Sequence, residues 1–171
     1  MENARVRKEM EDDHEVNLCV SSDVFENGGI IPKRYTGRGE DISPPLKLGP
    51  VMAEAKSIAV IMDDPDTPIG TFTHWVIWNI PANTGFIPEG IPKEKTVSSL
   101  GNACQGRNGY STAGYRGPKP PRGLGTHTYR FKVYVLDTEL ALRSGAGKRQ
   151  LLRAMKGHVI QHGILTGRFG S

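Results

Sequence analysis

Two apolar runs placed one after the other limit this chain more than any other feature: SIAVIM at residues 57–62 and WVIW at 75–78. Each is short and lacks the three- and four-residue spacing of an amphipathic helix, so both read as strands, with Lys56 to Met62 apolar enough to be buried on both faces. Between them lies DDPDTPIGTFTHW, residues 63–75. A hairpin needs only a two-residue turn such as Asn-Gly. A connection this long, with carboxylates at one end and a histidine at the other, reads as a loop that carries a site, against the plainer reading of solvated acids on a surface loop.

The rest of the chain is punctuated in the same way. Its 21 glycines and 12 prolines in 171 residues separate short segments and form no low-complexity tract. Asn17 to Val20, His74 to Ile80 and Tyr129 to Leu136 are further strand candidates. In the last of these, Tyr129, Phe131 and Val133 alternate with Arg130 and Lys132, the pattern of a strand with one wet face. Leu151, Leu152, Met155, Val159 and Ile160 recur at helical spacing, which predicts a helix over Gly147 to Ile160, weakened or split at Gly157. A shorter helix is expected at Thr138 to Leu142. No segment repeats and no boundary separates two compositions. The expected organisation is a mobile N-terminal extension at residues 1–15 and a single, mainly β domain at residues 16–171.

Composition narrows the function classes. The chain is 37% hydrophobic and 23% charged, the balance of one globular domain with a real core. Its +4 formal charge is spread without a basic run, which argues against a nucleic-acid partner. Cys19 and Cys104 have no CxxC or histidine-spaced partner, so two free thiols are expected. No apolar stretch reaches bilayer length and the first residues have no apolar centre, so a cytoplasmic location without a transmembrane segment is expected. His158 and His162 stand four apart, but without a third ligand no metal is assigned to them. Lys148, Arg149 and Arg153 read as a solvated helix face, with contact to anionic lipid as the alternative.

Two segments hold residues with chemistry to offer. Asp64-Pro65-Asp66-Thr67-Pro68 precedes His74, while the stiff loop Gly117 to Gly123 leads into Gly125-Thr126-His127-Thr128-Tyr129. His127 and Tyr129, two apart in an extended strand, share a face. If the two strands are neighbours, two imidazoles, a phenol and a carboxylate line one concave site. Protonated imidazoles and a phenol donate to phosphate oxygens, and a carboxylate orients an imidazole or receives a ligand ammonium. No GxSxG or comparable nucleophile signature accompanies them. The bland alternatives are an Asp-Pro turn for Asp64, structural histidines, and a strand-filling tyrosine.

The segments Tyr35-Thr36-Gly37-Arg38-Gly39-Glu40-Asp41-Ile42-Ser43-Pro44-Pro45-Leu46, DPDTP with His74-Trp75, and GTHTY resemble signatures of the phosphatidylethanolamine-binding proteins. The closing Ala154-Met155-Lys156-Gly157-His158-Val159-Ile160 is similar to the bacterial and archaeal branch of Raf kinase inhibitor-like proteins. The resemblance runs from about Leu18 to the C-terminus. It implies a large, mostly antiparallel sheet packed on a smaller sheet, with peripheral helices near the C-terminus. It also implies a small pocket for phosphate or a phosphorylated headgroup, lined by Asp64, His74, His127 and Tyr129 and walled by Pro68 and Pro121. It further implies a non-enzymatic protein with no cofactor. The rival reading is an inhibitor of a serine protease or a kinase regulator, using loops between Gln105 and Arg122; a homodimer is left open. Gly37 and Thr128 stand where the family has cysteine and arginine, and Asn102 to Tyr110 departs from its usual glycine loop, which bears on ligand choice.

Overall fold

The computed structural model describes residues 17–170; the extension expected at residues 1–15 lies outside the described residues. Among the described residues, ten strands form two sheets: β1 (Val20–Ser21), β2 (Gly29–Ile30), β3 (Leu46–Leu48), β4 (Ser57–Thr67), β5 (Gly70–Pro81), β6 (Phe86–Ile87), β7 (Thr96–Val97), β8 (Ala103–Gln105), β9 (Thr126–Leu136) and β10 (Val159–Gly170). The large sheet has the order β2-β10-β9-β4-β5-β8-β7, and the small one β1-β3-β6. All pairings are antiparallel except β10 with β2.

Strand alternation divides the apolar side chains between two cores. Ile58, Val60, Met62, Phe131 and Val133 meet Leu46, Leu48 and Ile87 of the small sheet. Ala59, Ile61, Val76, Trp78, Tyr134 and Leu136 instead meet Leu151, Leu152 and Met155 of α1 (Lys148–Met155). The central strands are therefore covered on both sides, which is why their sequences are apolar without a break. Each large side chain withdrawn from water in this way contributes about 1.5–3 kcal/mol.

Three sequence expectations need correction. The helix stops at Met155, not Ile160: Gly157 takes φ +82°, a left-handed conformation that ends helices, and Val159–Gly170 then runs antiparallel to β9 along its whole length. Val159 and Ile160 thus owe their apolar character to the sheet. His158 and His162 consequently share no helical face; His158 Nδ1 instead lies 2.8 Å from an Asp137 carboxylate oxygen. Thr138 to Leu142 is not helical, its backbone being taken up by Asn79, whose side chain donates to the Leu140 carbonyl and accepts from the Leu140 amide. Finally, the face of β9 expected to be wet is covered. Lys132 is buried, and it lies with Arg130 and Lys148 around the fully buried Asp63 at 3.6, 2.8 and 2.9 Å. Among the described residues no helix is long and apolar enough to cross a membrane.

Candidate functional site: a pocket at the end of the central strands

The stretch read as a loop between two strands is a continuous hairpin. Strands β4 and β5 run through it to a tight turn at Pro68 and Ile69, closed by pairing of Thr67 with Gly70. What the prolines and acids supply is irregularity. Met62 pairs with Trp75 and Asp63 with Thr73, which leaves His74 opposite no residue, a β-bulge that turns its ring out of the regular alternation. A second interruption lies between Asp64 and Thr67, where Asp64 Oδ1 accepts the Asp66 amide at 2.8 Å. The Asp-Pro turn and the placement of Asp64 on the cavity wall are therefore one arrangement. Strand β9 lies directly beside β4, so His127 and Tyr129 arrive next to Asp64.

All six residues singled out in the sequence, Asp64, Pro68, His74, Pro121, His127 and Tyr129, line one cavity of about 290 Å³. Asp64 and His127 are both buried, and Asp64 Oδ2 accepts from His127 Nδ1 at 2.6 Å. That bond fixes the tautomer and leaves Nε2 as the ring's remaining polar atom. His74 Nδ1 donates to the Arg116 carbonyl at 2.6 Å, so it too has only Nε2 to offer. Burial holds its pKa below the ordinary histidine value, and the Arg116 carbonyl and the Asp64, Asp41 and Asp63 charges offset only part of that effect. His74 is therefore a neutral ring at pH 7, where the sequence led us to expect a charged donor. Burial, reinforced by the Asp64 charge, raises the Tyr129 pKa, so its hydroxyl stays protonated. It has no hydrogen-bond partner among the described residues and stands as a ready donor.

The rings form a box. His74 meets Tyr129 and Phe72 edge-on at 5.3 and 5.0 Å, Phe72 meets Tyr110 at 5.0 Å, and His127 stacks on Tyr129 at 6.4 Å. Phe72 and Tyr110 were missed in the sequence. Tyr110 comes from the segment whose length departs from the family pattern. That loop is pinned by buried Asn108, whose side chain donates to the Gly114 carbonyl and the Thr112 hydroxyl and accepts the Tyr110 amide. Gly109 makes the contact possible, since a Cβ there would lie 2.4 Å from the Phe72 ring.

The acidic segment around Glu40-Asp41 acts one layer further out. The Asp41 carboxylate accepts the Gly117 amide at 2.6 Å and lies 3.4 Å from both Arg116 and Lys93. Gly37 donates to the Pro118 carbonyl, and Arg38 donates to that of Pro120. This segment thereby holds the loop that presents the Arg116 carbonyl to His74 and Pro121 to the cavity.

The profile of the family described as phosphatidylethanolamine-binding protein matches residues 21–170. A UPF0098 protein of Pyrococcus horikoshii is 52% identical over 157 residues, covering 92% of this chain and 78% of its own. Another from Methanothermobacter thermautotrophicus is 45% identical over 152 residues, covering 89% of this chain and 98% of its own. Among solved structures, a phosphatidylethanolamine-binding protein homologue of Chlamydia trachomatis superposes with a TM-score of 0.82 at 35% identity, covering 92% of this chain and 99% of that one. Escherichia coli YbcL, described as a new member of the mammalian family, gives 0.83 at 28% identity, covering 90% and 98%. The pocket thus sits in a chain that belongs to the phosphatidylethanolamine-binding protein family, in its bacterial and archaeal branch.

Proposed function

We propose that the cavity reversibly binds a phosphate group carried on a small organic body, and that the protein is a binding protein and not an enzyme. The observation that carries this reading is the convergence of His74, His127 and Tyr129 on one cavity, each ring with one polar atom uncommitted. Tyr129 donates to an anionic oxygen, and His127, held by Asp64, donates from Nε2 when protonated. His74, neutral in the fold, takes up a proton at Nε2 as the anion enters and then donates to it. With one oxygen given to its own turn and the other to His127, Asp64 acts as an orienter.

Ile69, Phe72, Tyr110, Pro120 and Pro121 make the remaining wall largely apolar, and Lys119 adds a cation at the mouth. Such walls favour an organic phosphate over inorganic phosphate. Among the described residues no serine or cysteine lines the cavity, so the acyl- and phosphoryl-transfer routes that need such a nucleophile have no starting point on them.

Calorimetric titration with phosphate and with phosphorylethanolamine, on the wild type and a His74→Ala, His127→Ala variant, tests the reading. Saturable heat with the wild type, larger affinity for phosphorylethanolamine, and loss of both in the folded variant are expected. Undiminished binding by that variant would falsify it, and no heat with either ligand would favour the protein-inhibitor reading.

A further inference from the structure

The central strands have a second face at the same height as the pocket. Asp64, Phe72 and His74 line the first cavity, while their chain neighbours Asp63 and Thr73 belong to the opposite side, beneath α1. There a second cavity of about 390 Å³ is lined by Thr73, Arg107, Lys148, Arg149, Gln150 and Arg153, together with Gly147. Four of these are cations and none is an acid.

Lys148 lies 2.9 Å from Asp63, whose carboxylate also meets Arg130 and Lys132. Arg107, Arg149 and Arg153 are exposed, and among the described residues none of the three has an acidic partner. The hydrogen bond from the Arg107 amide to the Ala146 carbonyl, 3.0 Å, brings Arg107 beside the start of α1. The placement of Lys148 and Arg149 runs against the helix's own electrostatics. They occupy its first turn, which contains no acid, where the positive end of the helix dipole disfavours cations. An anion in the cavity would relieve both the mutual repulsion and the conflict with the dipole.

We propose that this cavity is a second anion site, separate from the first, for a small ligand bearing more than one phosphate group. Guanidinium forks grip phosphate oxygens in pairs, and the three forks without an acidic partner among the described residues bring three positive charges, more than one phosphate dianion neutralises. The cavity is also larger than the first. Among the described residues its cations line a hollow, whereas a duplex or a bilayer would meet an extended stripe. The two cavities share no lining residue, so this proposal stands or falls independently of the function assigned to the first.

Pyrophosphate is the probe. Calorimetry at fixed ionic strength would compare the full chain carrying His127→Gln, which removes a first-pocket donor, with the same chain also carrying Arg107→Ala and Arg153→Ala. Loss of two charge-assisted contacts should weaken pyrophosphate at least roughly tenfold. Inorganic phosphate should bind the second site much more weakly than pyrophosphate does. If His127→Gln compromises folding, the side-chain Nε–H resonances of Arg107, Arg149 and Arg153 in the wild type give the same answer by shifting saturably with pyrophosphate. Unchanged affinity after the double arginine substitution, or absence of those shifts, would overturn the proposal. So would saturable binding of an oligonucleotide or of phosphatidylglycerol vesicles without any response to pyrophosphate.

Discussion

His74 combines a committed Nδ1, a buried ring and a lowered pKa, and this gives the account its pH dependence. An anion beside Nε2 must raise that pKa, so binding takes up a proton. Affinity should therefore strengthen as pH falls through the region below roughly 6.5, the free-histidine value. Calorimetry in buffers of different ionisation enthalpy checks it, after correction for the ligand's own titration; proton release or no proton exchange would contradict it. Asp64→Asn should leave the fold intact but free the His127 ring, weakening phosphorylethanolamine about tenfold, or about 1.4 kcal/mol. Tyr129→Phe removes one donor and should cost about 0.5–1.5 kcal/mol of affinity.

Asp64, His74, His127 and Tyr129 were legible in the sequence because two local motifs carry them. Phe72 and Tyr110 were not, because their contact depends on how a loop some forty residues away folds back over the hairpin. The extra residue of the bulge was equally hidden. No residue type announces it, and it follows only from the pairing of Met62 with Trp75 and Asp63 with Thr73.

Among the elements, hairpin β4–β5 and helix α1 differ most from their sequence signals. Proline and glycine density made residues 63–75 look like a loop, yet the strands tolerate it through irregular pairing and a two-residue turn. The periodicity of residues 151–160 mixes a real helical stripe, Leu151, Leu152 and Met155, with the opening of a strand, and three- and four-residue spacing does not separate them. Lys132 was read as solvated because alternation reports faces, not what covers them. Asp63 is what permits its burial. Burial alone would raise the Asp63 pKa, but Lys148, Lys132 and Arg130 outweigh it and hold the carboxyl below its ordinary range. Asp63→Ala should remove the buried carboxylate that three cations share and destabilise the fold by about 3–5 kcal/mol in urea unfolding, while an effect under about 1 kcal/mol would contradict that role.

For the whole molecule, the same two groups set the response to acid. His74 is buried neutral, so the unfolded chain binds its proton first, and stability falls as pH drops below roughly 6.5 towards the folded pKa. Asp63, depressed in the fold, adds a second loss as pH falls below roughly 4 through its folded value. Urea midpoints measured against pH should show both losses, with the upper one absent in His74→Gln. A profile flat from pH 7 to 5 would contradict the buried, neutral state of His74. The overall architecture, a large sheet on a smaller one, was accessible because the family resemblance spans nearly the whole described chain. The layer beneath α1 was not, since its charged cluster joins residues 63, 130, 132 and 148 from three separate elements.

Side-chain nitrogen NMR of the histidines during titration with phosphorylethanolamine reports on the pocket most directly. Saturable shifts are expected at Nε2 of His74 and His127, with Nδ1 of His127 still bonded to Asp64, and no comparable change at His158 or His162. Saturable binding that leaves both pocket imidazoles unmoved would contradict the proposed binding mode.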